Sequence, residues 1–210
     1  VALIYSAQLN PSKIDLLRAW VPGRAWLGSL DVSEVKAVGA YRFDDPDGEV
    51  GIETHLLSTQ PGVVLHVPLT YRGAPLDGAD EYLVTTMDHS VLGPRWVYDG
   101  CGDVAYARAL ATTILTGGSE AELVFADPAD GRPPTTFVTG NGRPATAVPE
   151  IATVATTDSV GSTRISADGV ELTVLRIMDP DRTAGGPTLT GTWPGQDTPV
   201  VLATAAGSRS

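Results

Sequence analysis

Turn-forming residues break this chain so often that only short elements fit between them. Asp44-Asp45-Pro46-Asp47-Gly48, Gln60-Pro61-Gly62, Ala167-Asp168-Gly169 and Pro194-Gly195-Gln196-Asp197 each carry proline, glycine or both beside short polar side chains. Proline presets φ, glycine supplies φ > 0, and aspartate bonds the local backbone. β-prone segments joined by such turns pair antiparallel. Glu34–Phe43, Glu49–Ser58, Val63–Arg72 and Glu81–Met87 are predicted to form a meander of this kind. Further strands are predicted at Val1–Gln8, Glu122–Ala126, Ile151–Thr156, Ser162–Ser166, Val170–Ile177, Thr188–Trp193 and Pro199–Thr204, with a frayed tail from Ala205.

Two segments have helical spacing. Asn10-Pro11-Ser12 opens the first, with Asn10 as cap and Pro11 at the first helical position. Ile14, Leu16, Leu17 and Trp20 form its apolar stripe, and Pro22-Gly23 ends it. Asp103–Thr116 is the stronger helix, with Tyr106, Leu110 and Ile114 on one side and Gly117-Gly118 as its stop. The fold class is therefore α+β: antiparallel β-sheets flanked by two main helices, with an all-β second half. Residues 127–149 hold many prolines and glycines with little periodicity and are read as a linker or long loop between regions 1–126 and 150–210. The second region is expected to pack on the first, because hairpins are marginal alone.

Fourteen basic residues stand against 25 acidic ones, a formal net charge of −11. That balance weighs against nucleic acid and against anionic membrane as partners, since both need clustered Lys and Arg. Cys101 is the single cysteine, so no internal disulfide can form. Val1–Asn10 does not read as a signal peptide, and no apolar run approaches the ~20 residues that span a bilayer. The expected location is the cytoplasm.

Few side chains suggest chemistry. Glu53 and His55 share one face of their strand. Pairing around Gln60–Gly62 puts His66 near a cross-strand position, gathering Glu53, His55 and His66 on one sheet face. Such a trio suits a metal or an acid–base pair. A polar, solvent-facing side of the sheet is the preferred reading, since no His-x-x-x-His or Cys/His spacing supports the sharper one. Cys101 with His89 and Asp99 is weighed as a nucleophile site and set below a buried cysteine. Asp44, Asp45, Asp47 and Glu49 fit a turn better than paired catalytic carboxylates or a calcium loop. Thr139-Gly140-Asn141-Gly142-Arg143 is read as a surface turn, because it does not sit between a strand and a helix as a phosphate loop does. Trp96 and Trp193, beside turns, are the candidates for stacking on a sugar. No catalytic residue, metal or cofactor is assigned.

Trp20-x-Pro22-x-Arg24-x-Trp26 after a short helix resembles the start of bacterial maltokinases. Tyr98-Asp99, followed by the Asp103–Thr116 helix and Glu122–Phe125, resembles their N-terminal cap subdomain, a curved antiparallel sheet with flanking helices. The stretches His66–Arg72 and His89–Asp99 look like stand-alone cap-like proteins of that group. The resemblance covers residues 1–126, and 150–178 more loosely, where the β-rich region resembles a truncated kinase N-lobe. In the kinases a strand after the cap carries a lysine that reaches the ATP phosphates. Here Val170–Arg176 takes that place, with Thr173 at the lysine position and Arg176 expected on the opposite face. The sequence stops before a kinase lobe, so phosphoryl transfer is not expected. The resemblance implies a non-catalytic cap-like protein, a binding or regulatory partner in maltose, trehalose or α-glucan metabolism. A protein partner or a second copy would cover the face that a kinase lobe covers. The alternative is a small carbohydrate-binding module using exposed tryptophans.

Overall fold

A computed structural model describes residues 2–4, 7–127, 129 and 133–207. In chain order the elements are β1 (Ala2–Ile4), β2 (Leu9–Asn10), α1 (Lys13–Trp20), β3 (Lys36–Phe43), β4 (Gly51–Gln60), β5 (Val63–Arg72), β6 (Leu83–His89), β7 (Gly93–Asp99), α2 (Val104–Thr116), β8 (Leu123–Phe125), β9 (Phe137–Gly140), β10 (Val154–Ser159), β11 (Ser162–Ala167), β12 (Val170–Leu175), β13 (Thr188–Trp193) and β14 (Gln196–Gly207). Two six-stranded antiparallel sheets result, ordered β2-β6-β7-β5-β4-β3 and β10-β11-β12-β14-β13-β9. β1 and β8 form a separate parallel pair. The α+β class and the antiparallel pairing agree with the sequence.

Several boundaries differ from expectation. Ser12, not Asn10, caps α1: its Oγ accepts from the Asp15 amide at 3.3 Å, so Pro11 precedes the helix. The meander stops at β5, whose next neighbour is β7 and not β6. Trp96-Val97-Tyr98 is β-prone but short, and Pro94 obscures its start, so the strand that docks beside β5 was not anticipated. Within residues 127–149, β9 pairs with β13 as the edge of the second sheet, a four-residue strand too short for its alternation to stand out along the chain. The tail does not fray at Ala205, because β14 continues to Gly207 opposite Val170.

The glycines after α2 have a use beyond a surface turn. The amides of Gly142 and Arg143 donate to the carbonyls of Ile114 and Leu115 at 3.0 and 2.9 Å, satisfying the open end of the helix. A Cβ at Gly142 would collide with the Leu115 carbonyl oxygen, so the close approach requires glycine.

The first sheet is covered on both faces. On one side Leu16, Leu17 and Trp26 pack against Leu57, Leu65, Val67, Leu69 and Val97. On the other, Tyr41, Ile52 and Leu56 join Leu110 and Ile114 of α2 and Leu172, Val174, Leu189 and Leu202 of the second sheet. An antiparallel sheet usually keeps one solvated face. Here the double cover explains why Glu53, Thr54, His55, His66 and Thr70 are all buried.

Backbone hydrogen bonds join the two halves directly. β7 pairs with β5 only from Leu69 to Arg72. Beside the first half of β5 runs Arg176–Met178: the His66 amide donates to the Arg176 carbonyl at 2.9 Å, and the Met178 amide to the Val64 carbonyl at 2.8 Å.

Candidate functional site

Of the polar trio expected from the sequence, Glu53 and His55 share a face and His66 does not. The register pairs His55 with Val67 and Leu56 with His66, so the two histidines lie on opposite faces of the sheet. A β-bulge between Ser58 and Gln60 shifts the hairpin by one residue and turns His66 over. The solvent-facing reading is corrected too, since all three side chains are buried.

On its outer face the sheet carries an ion cluster. Lys13, the first residue of α1, and Arg42 of β3 both donate to Oε2 of Glu53, Arg42 at 2.8 Å. β3–β4 pairing sets Arg42 directly across from Glu53. Burial pushes the Glu53 carboxyl up, but Lys13, His55 and Arg42 outweigh it and hold the group well below the usual carboxylate range. His55 Nε2 lies 3.1 Å from the Tyr71 hydroxyl. Burial pulls His55 down to about 4 against the upward pull of Glu53, so it is neutral at pH 7. The Lys13 ammonium also sits 5.5 Å from the centre of the Tyr71 ring.

Beside this cluster opens a cavity of about 500 Å³, lined by Lys13, Arg42, Tyr71, His89, Arg95 and the turn residues Asp44, Asp45 and Glu49, among others. Asp45 is occupied by its own turn, accepting from the amides of Asp47, Glu49 and Val50. Among the described residues, no group of three or more His, Cys, Asp or Glu side chains is placed to hold a metal ion.

On the inner face, His66 is a joint between the halves. Burial pulls it down to about 4, aided by Arg176 and opposed by the Leu175 carbonyl, so it too is neutral at pH 7. Nδ1–H donates to the Leu175 carbonyl at 2.9 Å, because a carbonyl can only accept. That leaves Nε2 to accept the Tyr41 hydroxyl at 2.7 Å. Next to it, Arg176 Nη2 donates to both oxygens of Asp99 at 2.7 and 2.8 Å, Nε donates to Thr163 at 2.8 Å, and the guanidinium lies 5.2 Å from the Trp26 ring centre. Arg176 is fully buried, and nothing in its sequence position marked it as the partner of Asp99. Asp103 was legible as the start of α2. Its carboxylate caps Ala105 and also binds Thr70 and, through two hydrogen bonds of 2.7 Å, Arg72.

The remaining candidates separate. Trp193 is 6% exposed and packs in the inner core, so it presents no stacking face, while Trp96 on β7 is half-buried. Cys101 is buried and its thiol is pushed well up, burial being the main cause. His89 lies at the far end of the β6–β7 hairpin from Cys101, roughly 20 Å away along β7 at ~3.4 Å per residue. Cys101 and His89 therefore do not meet. Thr173 is half-buried in β12, between Arg164 and Thr204 on the flanking strands.

Residues 20–103 match the family model of the maltokinase N-terminal cap domain. The matched segment runs from the last residue of α1 through β3 to β7 and ends on Asp103. Over that segment the chain is maltokinase cap-like, while residues 104–126 and 150–178 lie outside the match. No curated protein matches the chain. No helix among the described residues is long and apolar enough to cross a membrane.

Proposed function

We propose, from the cap-like region at residues 20–103, that this chain is a non-catalytic cap protein. It serves in the cytoplasm as a binding or regulatory partner within maltose, trehalose or α-glucan metabolism. What best supports the non-catalytic part is how the chemistry-bearing side chains are used. Glu53, His66, Asp99, Asp103 and Arg176 are all buried and each is held by internal hydrogen bonds or ion pairs. At the strand where the resemblance puts an ATP-binding lysine, Thr173 brings no charge and Arg176 is spent on Asp99. The partner is a protein or a second copy, docked on the face that a kinase lobe covers; the warrant for that part is analogy with the family. Burial of Trp193 removes one of the two platforms of the carbohydrate-module reading.

The test has two arms. Purified protein with ATP–Mg²⁺ and maltose is followed for ADP and sugar phosphate, with no product above the blank expected. Turnover that persists through repurification would overturn the non-catalytic reading. Sedimentation velocity of the chain alone, and mixed with purified maltose- or trehalose-converting enzymes, is expected to show a larger species in at least one sample. A lone monomer in every sample would sink the partner role.

A further inference from the structure

The floor of the outer cavity carries an unbalanced charge. Lys13 and Arg42 share a single buried carboxylate, Glu53. Two cations on one anion leave one positive charge over, in a wall only partly open to water. Arg42 reaches Glu53 through Nη2, and among the described residues its Nε and Nη1 make no further hydrogen bond. Lys13 has spare donors of the same kind, with one of its three N–H groups on Glu53. Arg95 adds a third cation to the lining and, among the described residues, hydrogen-bonds only the adjacent Pro94 carbonyl. Asp44, Asp45 and Glu49 of the β3–β4 turn add carboxylates to the same lining.

We propose that this cavity binds a small polyhydroxylated anion, a phosphate ester or a carboxylate. Its acidic group lies on Lys13 and Arg42 and its hydroxyls face the Glu49 carboxylate. An anion meets the guanidinium and ammonium donors that Glu53 leaves unused, and such charge-assisted bonds are shorter and stronger than those to a neutral hydroxyl. A bare inorganic ion fills only a corner of about 500 Å³, a volume in the range of small-molecule sites. Extended polyanions are opposed by the acidic turn and by the net charge of −11. The site lies on the outer face of the first sheet and does not depend on the partner role proposed above.

Isothermal titration calorimetry at low ionic strength tests this, with glucose 1-phosphate, gluconate, inorganic phosphate and glucose as probes. Saturable binding of glucose 1-phosphate or gluconate is expected, at least about tenfold tighter than inorganic phosphate, with glucose silent. Which of the two organic anions binds tells the phosphate ester from the carboxylate. Arg42→Gln is expected to weaken binding about tenfold or more. Arg95→Gln, in the cavity lining and outside the core, is expected to weaken it several-fold and keeps the test valid where Arg42→Gln unfolds the protein. Arg164→Gln, exposed on the second sheet, is the control and leaves affinity unchanged. Three results would overturn the proposal: no saturable binding of either organic anion, glucose binding as tightly as they do, or affinity unmoved by both cavity substitutions. Equal affinity for inorganic phosphate would mean an adventitious ion only, and would overturn it as well.

Discussion

His55 and His66 are neutral in the folded protein with pKa values of about 4, against the usual 6.5 once unfolded. Their contribution to stability is whole above pH 6.5. It falls as pH drops toward 4, where the unfolded chain takes up protons that the folded one refuses. The loss amounts to about 3 kcal/mol per histidine over that window. Glu53 is charged in both the folded and the unfolded chain down to about pH 5.5, so urea midpoints measured from pH 7.5 to about 5.5 keep its titration out of the slope. Replacing both by glutamine is expected to flatten the profile; an unchanged slope would refute the assignment. The buried Arg176–Asp99 pair makes a second test. Arg176→Met leaves Asp99 uncompensated and is expected to cost about 3–5 kcal/mol, of which Arg176→Met with Asp99→Asn recovers part in a double-mutant cycle. At this scale the sequence revealed that Glu53 and His55 are neighbours on one face, because strand periodicity is strict. It did not reveal the company of His66, since one bulged residue reverses a face. Nor did it reveal Lys13 and Arg42 as partners of Glu53, which needs the register of β3 on β4 and the placement of α1.

Among elements, the end of α2 is held by glycine. Gly142→Ala drives a methyl group into the Leu115 carbonyl and is expected to destabilise the protein by about 1–3 kcal/mol, read from the urea midpoint. Ala145→Ser in the exposed loop just beyond should be neutral. Turns and long elements were readable because their signals are local: Gly169 and Gly195 take φ of +75° and +86°, and Asp103 and Gly117 bracket α2. β7 and β9 were not, because both are short and owe their place to a neighbour. β7 lies between β5 and β6, and β9 completes an edge against β13. Glu120 helps fix β9, accepting from the Val138 amide at 2.8 Å, a contact without any pattern along the chain.

For the molecule as a whole, two cores share one sheet as their common wall. Trp26 lies in the outer core and Trp193 in the inner one, so they report on different places in one unfolding reaction. In the unaltered protein, tryptophan fluorescence and backbone circular dichroism are expected to give coincident denaturant midpoints. Clearly separated midpoints would mean that each core melts by itself. The strap of Arg176–Met178 along β5 has a consequence for how the chain is made. Synthesis runs from the N-terminus, and the segment that satisfies the open side of Val64–His66 is translated about 110 residues later, roughly 5–20 s at ordinary elongation rates. For that interval a nascent chain holds an unsealed, apolar strand edge of the kind that invites pairing with other chains. The ribosome thus finishes most of the first sheet before it supplies the piece that closes it, and a pause or truncation upstream of Met178 would release a product with that edge still open.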